Sequence, residues 1–256
     1  MLKTKRINQI QDYVLEHETV SLDELVEVFG VSKNTIRRDV QMLVEQGDLK
    51  KVYGGVAVNH STLISFNDRK VRSQLEKQKI AKLAADYVED GDIIFLDSGT
   101  TTFEMLEFIK TKQITVVTNN IDFIVEAMPY ENLNIFSAGG MVERKTKSFA
   151  SFKGEDIFKT YNINKAFMAS TGISLRNGVT NSSPLETEIK SSAVKKCSEI
   201  FLLVDSKKFD KYALTTYCEL KEIDYLITDQ LPNENYQQYA MEHDIKLVVP
   251  EEAPAN

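Results

Sequence analysis

Ten residues between positions 32 and 53 carry side chains that bond readily to nucleic acid: Ser32, Lys33, Asn34, Thr35, Arg37, Arg38 and Gln41, then Lys50, Lys51 and Tyr53. Asn, Gln and Arg can read base edges, while Lys, Arg and hydroxyls hold phosphates. Their spacing implies a helix. Ser32 stands where it can accept a hydrogen bond from the first turn, and Ile36, Val40, Leu43 and Val44 fall at i, i+4, i+7 and i+8, an apolar stripe for a core. The opposite side presents Asn34, Arg38 and Gln41, with Lys33 and Arg37 on the flanks and Thr35 near the start. The N-terminal end of such a helix is the part that enters a major groove. A solvated basic face is the plain alternative, since charge on a helix often means no more.

A second set of residues suits a small anion. In Asp97–Thr102, DSGTTT, the run Asp97, Ser98, Gly99, Thr100 and Thr101 joins a buried apolar strand to a helix start, offering hydroxyls, backbone N–H groups and a positive dipole end. Ser and Thr also cap helices for structural reasons, so this loop alone does not decide. Thr118, Asn119 and Asn120 follow a second strand, Ala138, Gly139 and Gly140 a third, and Lys207 and Lys208 stand in VDSKKFD after a later one. Carboxyl ends of parallel strands face one crevice, so these loops are expected to converge there. Asn amides would bind sugar hydroxyls, and the small residues would let a ligand approach the backbone. Glu186 is a further polar candidate; Glu188 reads as an exposed helix start.

Elements must hold these two sets. Ile7, Ile10 and Val14 give one apolar helix face. Leu22, Leu25, Val26 and Phe29 give another, opened by Ser21 with Glu24 three residues on, a capping-box spacing. Gly47 and Asp48 stop the third helix, and Leu49, Val52 and Val56 alternate loosely with Lys50, Lys51 and Tyr53, as in a β-hairpin wing. Residues 59–75 hold no period and read as a linker, after a head at 1–58 and before a body at 76–256. In the body, helices over 80–87, 102–110, 121–128, 184–197 and 236–243 alternate with strands over 92–97, 114–118, 133–137, 165–170, 200–205, 225–228 and 245–249. That alternation means βα units on a mainly parallel sheet. The tail 251–256 reads as disordered.

The totals fit a small domain plus a larger one, with 42% hydrophobic residues to furnish both cores. A net charge of −7 argues against general polyanion binding, so contact with DNA must be a local patch. Met1–Arg6 is charged with no apolar run behind it, and no stretch reaches the length of a membrane span, so a cytoplasmic chain is expected. Cys197 and Cys218 lack metal spacing, and Cys197 continues the apolar face of Leu185, Ile189 and Ala193, as a reduced core thiol would. His17, His60 and His243 are scattered. Neither a metal nor a cofactor is expected, and no catalytic residue stands out.

The motif TIRRD followed by G-x-L-x-x-V-x-G-G over Gly47–Gly55 resembles the N-terminal domain of the DeoR family of bacterial transcriptional repressors. The resemblance continues through Glu76 and Lys77, the D-S-G-T-T loop, Thr118 and Asn119, Gly139 and Gly140, and D-x-x-K-F at Asp205–Phe209. It implies a winged helix-turn-helix head on double-stranded operator DNA, and an α/β effector domain similar in fold to ribose-5-phosphate isomerase that senses phosphorylated sugars. Within the family, SLDELVEVFGVSKNTIRRDV, KVYGGV, YNINKAFM and GVTNSSPLETEIK look most like repressors of myo-inositol catabolism, whose inducer is a phosphorylated keto sugar acid. Two positions depart. Tyr53 stands where the wing usually has His, and the family's S-K-F-G is Lys207, Lys208, Phe209 and Asp210 here. Aligned this way Lys208 carries the family's lysine, but either lysine could face the pocket. The resemblance implies a homodimer or homotetramer. Two rival readings remain: an isomerase with an appended head, which needs a carboxylate base beside the pocket lysine, and an activator or architectural DNA-binding protein, the latter insensitive to ligand.

Overall fold

The computed structural model describes residues 3–45, 49–58, 63–150 and 155–251, and the chain divides after Ile64 into a head and a body. The head runs α1 (Lys3–His17), β1 (Thr19–Ser21), α2 (Leu22–Phe29), α3 (Lys33–Glu45), β2 (Leu49–Val52) and β3 (Gly55–Val58). Ile7, Ile10 and Val14 from α1, Leu25 from α2, and Ile36, Val40 and Leu43 from α3 share one apolar cluster, with Leu49, Val56 and Val58 from the hairpin. The helix faces are those the periodicity predicts. Ser32 Oγ accepts from Thr35 N at 3.2 Å, and Ser21 Oγ from Glu24 N at 3.1 Å. The return half of the capping box is replaced, because the Glu24 carboxylate accepts the Tyr13 hydroxyl at 3.1 Å and ties α2 to α1.

β2 and β3 pair antiparallel across a turn at Tyr53 and Gly54, the glycine at φ 75°, where a side chain would be strained. β1 carries no signal of its own in the sequence; it pairs with β3 and makes the wing three-stranded. Three residues are too few to show a period. Gly47, Asp48 and His60 lie outside the described residues, as do 252–256 of the tail.

The body runs α4 (Phe66–Val71), α5 (Gln74–Ala85), β4 (Ile93–Leu96), α6 (Thr100–Phe103), α7 (Leu106–Ile109), β5 (Ile114–Thr118), α8 (Ile121–Ala127), β6 (Leu133–Ser137), β7 (Met141–Glu143), β8 (Ser148–Ala150), α9 (Glu155–Thr160) and β9 (Lys165–Ala169). It continues with β10 (Gly172–Ser174), β11 (Gly178–Asn181), α10 (Pro184–Lys196), β12 (Glu199–Leu203), β13 (Thr215–Cys218), β14 (Tyr225–Ile227), α11 (Glu234–Glu242) and β15 (Lys246–Val248). A seven-stranded sheet orders as β15-β14-β12-β9-β4-β5-β6, every pairing parallel. Its strands are apolar on both faces: Ile94 and Leu96 join one core cluster, while Phe95 joins another. Both faces are therefore covered, as a parallel sheet requires. β10, β11 and β13 form a separate antiparallel sheet, and β7 with β8 a hairpin. Among the described residues no helix is long and apolar enough to cross a membrane.

Two expectations need correction. The helix read over 102–110 is broken into α6 and α7. Three consecutive threonines are stiff at χ1 and poor helix formers, and the Thr102 hydroxyl donates to the Asp97 and Gly99 carbonyls at 2.7 and 2.9 Å. The linker read over 59–75 does not extend to its end. Ser65 Oγ accepts from Asp68 N to start α4, and Phe66 is fully buried in a body core cluster. One and a half turns are too short for an apolar period to be visible. Residues 59–62 lie outside the described residues.

Candidate functional site

The head presents the first set of residues outward. On α3, Ser32, Lys33, Asn34, Arg37 and Arg38 are exposed, while Thr35 and Gln41 are half-buried. A groove runs between α3 and the wing, lined by Arg37, Arg38 and Gln41 on one side and by Lys51 and Gly54 on the other. Lys50 is exposed on β2 and Tyr53 is fully exposed at the turn. Within the IRRD run, Ile36 points into the core and the buried Asp39 accepts Arg6 Nε at 2.7 Å, pinning α1 to α3. Only the two arginines between them face solvent. Lys33 is ion-paired with Asp23 on α2, so its charge is already partly offset.

In the body, part of the second set, Ser98, Gly99, Thr100, Glu186 and Lys208, gathers where the strand order reverses. β5 and β6 lie to one side of β4, and β9, β12, β14 and β15 to the other. The carboxyl ends of β4 and β9 therefore flank a crevice at the switch point. Ser98, Gly99 and Thr100 come to it from β4, and Ala169, Ser170 and Thr171 from β9. α10 contributes Glu186 and Lys190, β11 contributes Asn181, the turn after β12 contributes Lys208, and α4 contributes Arg69. Gly99 is required by packing, since a Cβ there would stand 2.2 Å from Ala169 Cβ.

Several predicted residues sit elsewhere. Asp97 is fully buried behind the cleft, where Oδ2 pairs with Lys190 Nζ and accepts from Ala169 N at 3.0 Å. Thr101 is buried and does not line the cleft, and its hydroxyl has no partner. Asn119 does not line the cleft; its Nδ2 donates to Ser98 Oγ at 3.3 Å and to Phe149 O at 3.4 Å. Asn120 caps α8 instead, its Oδ1 accepting from Phe123 N at 3.0 Å. Gly139 and Gly140 lie in the surface turn between β6 and β7. The physical reason is strand spacing: the reversal falls between β4 and β9, and β6 is two strands further out on the other side, roughly 10 Å away. Lys207 is exposed while Lys208 is turned inward, so the structure decides between the two lysines.

Arg69, Lys190, Asn181, Ser170 and Ser148 complete the site and were not singled out. Lys190 had a readable signal, since it falls four residues after Glu186 on the same face of α10. Glu186 is buried and accepts Ser98 Oγ at 3.2 Å, Ser148 Oγ at 2.5 Å and Asn181 Nδ2 at 3.3 Å. Burial opposes its charge, but Lys190, Arg69 and these hydrogen bonds outweigh burial and hold its pKa below the ordinary value. The cations are the reverse. Burial lowers the pKa of Lys208, with Arg69 and Lys190 adding repulsion against the pull of Asp205, and burial likewise lowers that of Arg69. Lys208 Nζ donates to Ser170 O at 2.6 Å but stands 3.9 Å from Asp205. Ser170 Oγ and Arg69 Nε are buried without hydrogen-bond partners. Two under-compensated cations and two idle polar groups in one cleft are what an anion would satisfy. The dipole of α6 adds little, because the helix is one turn long.

Among the described residues no group of three or more His, Cys, Asp or Glu side chains is placed to hold a metal ion. Cys197 and Cys218 carry free thiols, and burial pushes that of Cys197 up to about 12.

Comparison with known proteins agrees with this two-part layout. A DeoR-like helix-turn-helix domain matches residues 6–62, and the DeoR C terminal sensor domain matches 72–230. The HTH-type transcriptional regulator IolR of Bacillus subtilis (strain 168) is 44% identical over 248 residues, covering 96% of this chain and 99% of that protein. The HTH-type transcriptional repressor GlcR of the same organism is 28% identical across 98% of both chains, and the lactose phosphotransferase system repressor of Staphylococcus epidermidis is 31% identical over 90% of this chain and 93% of its own. Among solved structures, ribose 5-phosphate isomerase A of Methanocaldococcus jannaschii matches 52% of this chain and 53% of that chain at 18% identity and a TM-score of 0.39, a likeness too slight to carry chemistry. Head, sheet order and cleft thus meet two matched domains and a relative spanning nearly the whole length: the chain belongs to the DeoR family of helix-turn-helix transcriptional regulators.

Proposed function

We propose that this protein is a transcriptional repressor of a carbohydrate catabolism operon, with α3 and the wing on operator DNA and a phosphorylated sugar or sugar acid in the body cleft as the releasing signal. The observation that carries the effector reading is the pair Arg69 and Lys208, half-buried at the switch point, with Arg69 Nε buried and unpartnered and Lys208 Nζ 3.9 Å from Asp205. Beside them, Ser98, Thr171 and Asn181 offer hydrogen bonds suited to sugar hydroxyls. The names of relatives as repressors favour repression, and the motifs that resemble repressors of myo-inositol catabolism, with the 44% identity to IolR, favour that pathway. Two heads in a dimer or tetramer would meet two operator half-sites.

The chemistry of the cleft favours binding over turnover. An isomerase needs a carboxylate free to take a proton. Glu186 is saturated by three side-chain donors and held ionised, and Asp97 is engaged by Lys190. Neither is a ready base. The experiment is calorimetric titration of phosphorylated sugars and their unphosphorylated parents into the wild-type protein and Lys208→Met. A phosphorylated sugar should bind the wild type and lose about tenfold or more in affinity in the variant, as loss of a charge-assisted hydrogen bond implies. Equal affinity for a sugar with and without its phosphate would contradict the reading.

A further inference from the structure

α4 occupies an unusual place in the chain. The head unit ends at Ile64, Ser65 caps α4, and α4 spans only Phe66–Val71. A helix of that length is not stable alone, so its position depends on what grips it. Contacts on the body do so. Phe66 stacks edge-on against Phe103 with centroids 5.8 Å apart, and Phe66 N donates to Lys145 O at 2.8 Å. Lys70 Nζ lies 4.1 Å from the centroid of the Phe103 ring. The buried Lys77 on α5 donates through Nζ to the Arg69 carbonyl. Just beyond α4, Ser73 stands at φ 46°, a left-handed conformation that is strained for a residue with a side chain.

Among the described residues, Arg69 is the one α4 residue that lines the cleft, and its Nε is buried without a partner. We propose that Arg69 is the residue through which an anion in the cleft takes hold of α4, and that this hold is the link from effector to head. The proposal rests on the anion-binding reading of the cleft. Lys77 belongs to the same device from the other side, pinning the backbone of the residue whose side chain meets the anion. Burial, together with the nearby Lys208 and Arg69, lowers its pKa to about 7, so near neutrality its amine is about half protonated. A ligand shifts an equilibrium only by binding one arrangement better than the other. Here the difference is whether Arg69 is docked against the anion, and α4, which follows directly on the head, moves or stays with it. Reciprocity then requires operator DNA to weaken the anion as much as the anion weakens DNA.

The test is hydrogen exchange followed by mass spectrometry on the full chain, with and without saturating inorganic phosphate as the probe. In the wild type, phosphate should slow exchange about tenfold or more in peptides covering 66–73 as well as in those covering 97–103. Arg69→Lys keeps a charge but loses the fork; it should bind phosphate about tenfold more weakly and lose the slowing at 66–73. Lys77→Met, outside the cleft, frees the backbone of Arg69 and should speed exchange at 66–73 in the absence of phosphate while leaving 97–103 as in the wild type. A merely structural Arg69 would leave phosphate affinity unchanged in Arg69→Lys, which would overturn the proposal. Phosphate that protects 97–103 in the wild type while 66–73 exchanges as before would overturn it too, and would leave the anion reading of the cleft standing. No phosphate binding by the wild type would remove that reading and the proposal together.

Discussion

Asp97→Ala should destabilise the body by about 3 to 5 kcal/mol, the range for breaking a buried ion pair by removing one partner. The Asp97 carboxylate is 0% exposed and the Lys190 side chain 3%, so neither charge has water to fall back on. The substitution removes the Lys190 ammonium's paired carboxylate, leaving it the Ala169 carbonyl at 2.9 Å and the Tyr217 ring at 5.3 Å, and it also strands the Ala169 N–H now bonded to Oδ2. Lys190 in turn supports Glu186, so the loss should reach the cleft as well as the core. Replacing both partners with apolar residues, Asp97→Leu with Lys190→Met, should cost less than the single change, because no charge is left unpaired. Denaturant unfolding followed by circular dichroism measures both. A loss below about 1 kcal/mol for Asp97→Ala would mean that the pair is hydrated or rearranged in solution.

The second large effect belongs to the head. Arg37→Ala and Arg38→Ala should each weaken binding to operator DNA by about tenfold at fixed salt, and the double variant by about a hundredfold, in line with 1 to 3 kcal/mol for a good base contact. Both side chains are exposed, so folding should change by less than about 0.5 kcal/mol. Asp39→Ala is the contrast within the same run. It should lower the stability of the head by breaking the bond to Arg6, and affect DNA only through that loss. Fluorescence anisotropy at several salt concentrations separates the two arginines by role: a phosphate contact flattens the salt dependence when removed, whereas a base contact relaxes sequence preference. Unchanged affinity in the double variant would remove α3 as the reading helix.

Much of this was legible because it rests on local periods. The stripe Ile36, Val40 and Leu43 places Arg37 and Arg38 outward whatever the rest of the chain does. β4, β5, β6, β9 and β12 announce themselves as apolar β-branched and aromatic runs, and the hydroxyl-rich loop after β4 marks one wall of the cleft. The opposite wall was not legible. Which strand ends meet depends on strand order, and the order β9-β4-β5 carries no local signature. The loops after β5 and β6 therefore looked as eligible as Ala169–Thr171 after β9, which line the cleft without any motif. Arg69 was hidden for a different reason. It sits on a helix too short to show a period, in a stretch whose scattered polar residues look like a linker. Asn120 shows the converse: its amide suits a sugar, but a helix start two residues past a strand consumed its oxygen.

The measurement that bears most directly on the account is binding of the full-length protein to DNA from upstream of its own and neighbouring genes, titrated with and without a panel of phosphorylated sugars. Specific binding that one phosphorylated sugar weakens by about 5- to 150-fold, the usual span of allosteric coupling, with its unphosphorylated parent inert, is the predicted result. Specific binding that no phosphorylated sugar alters would contradict the central claim, leaving the head's task intact and the cleft without the role assigned to it.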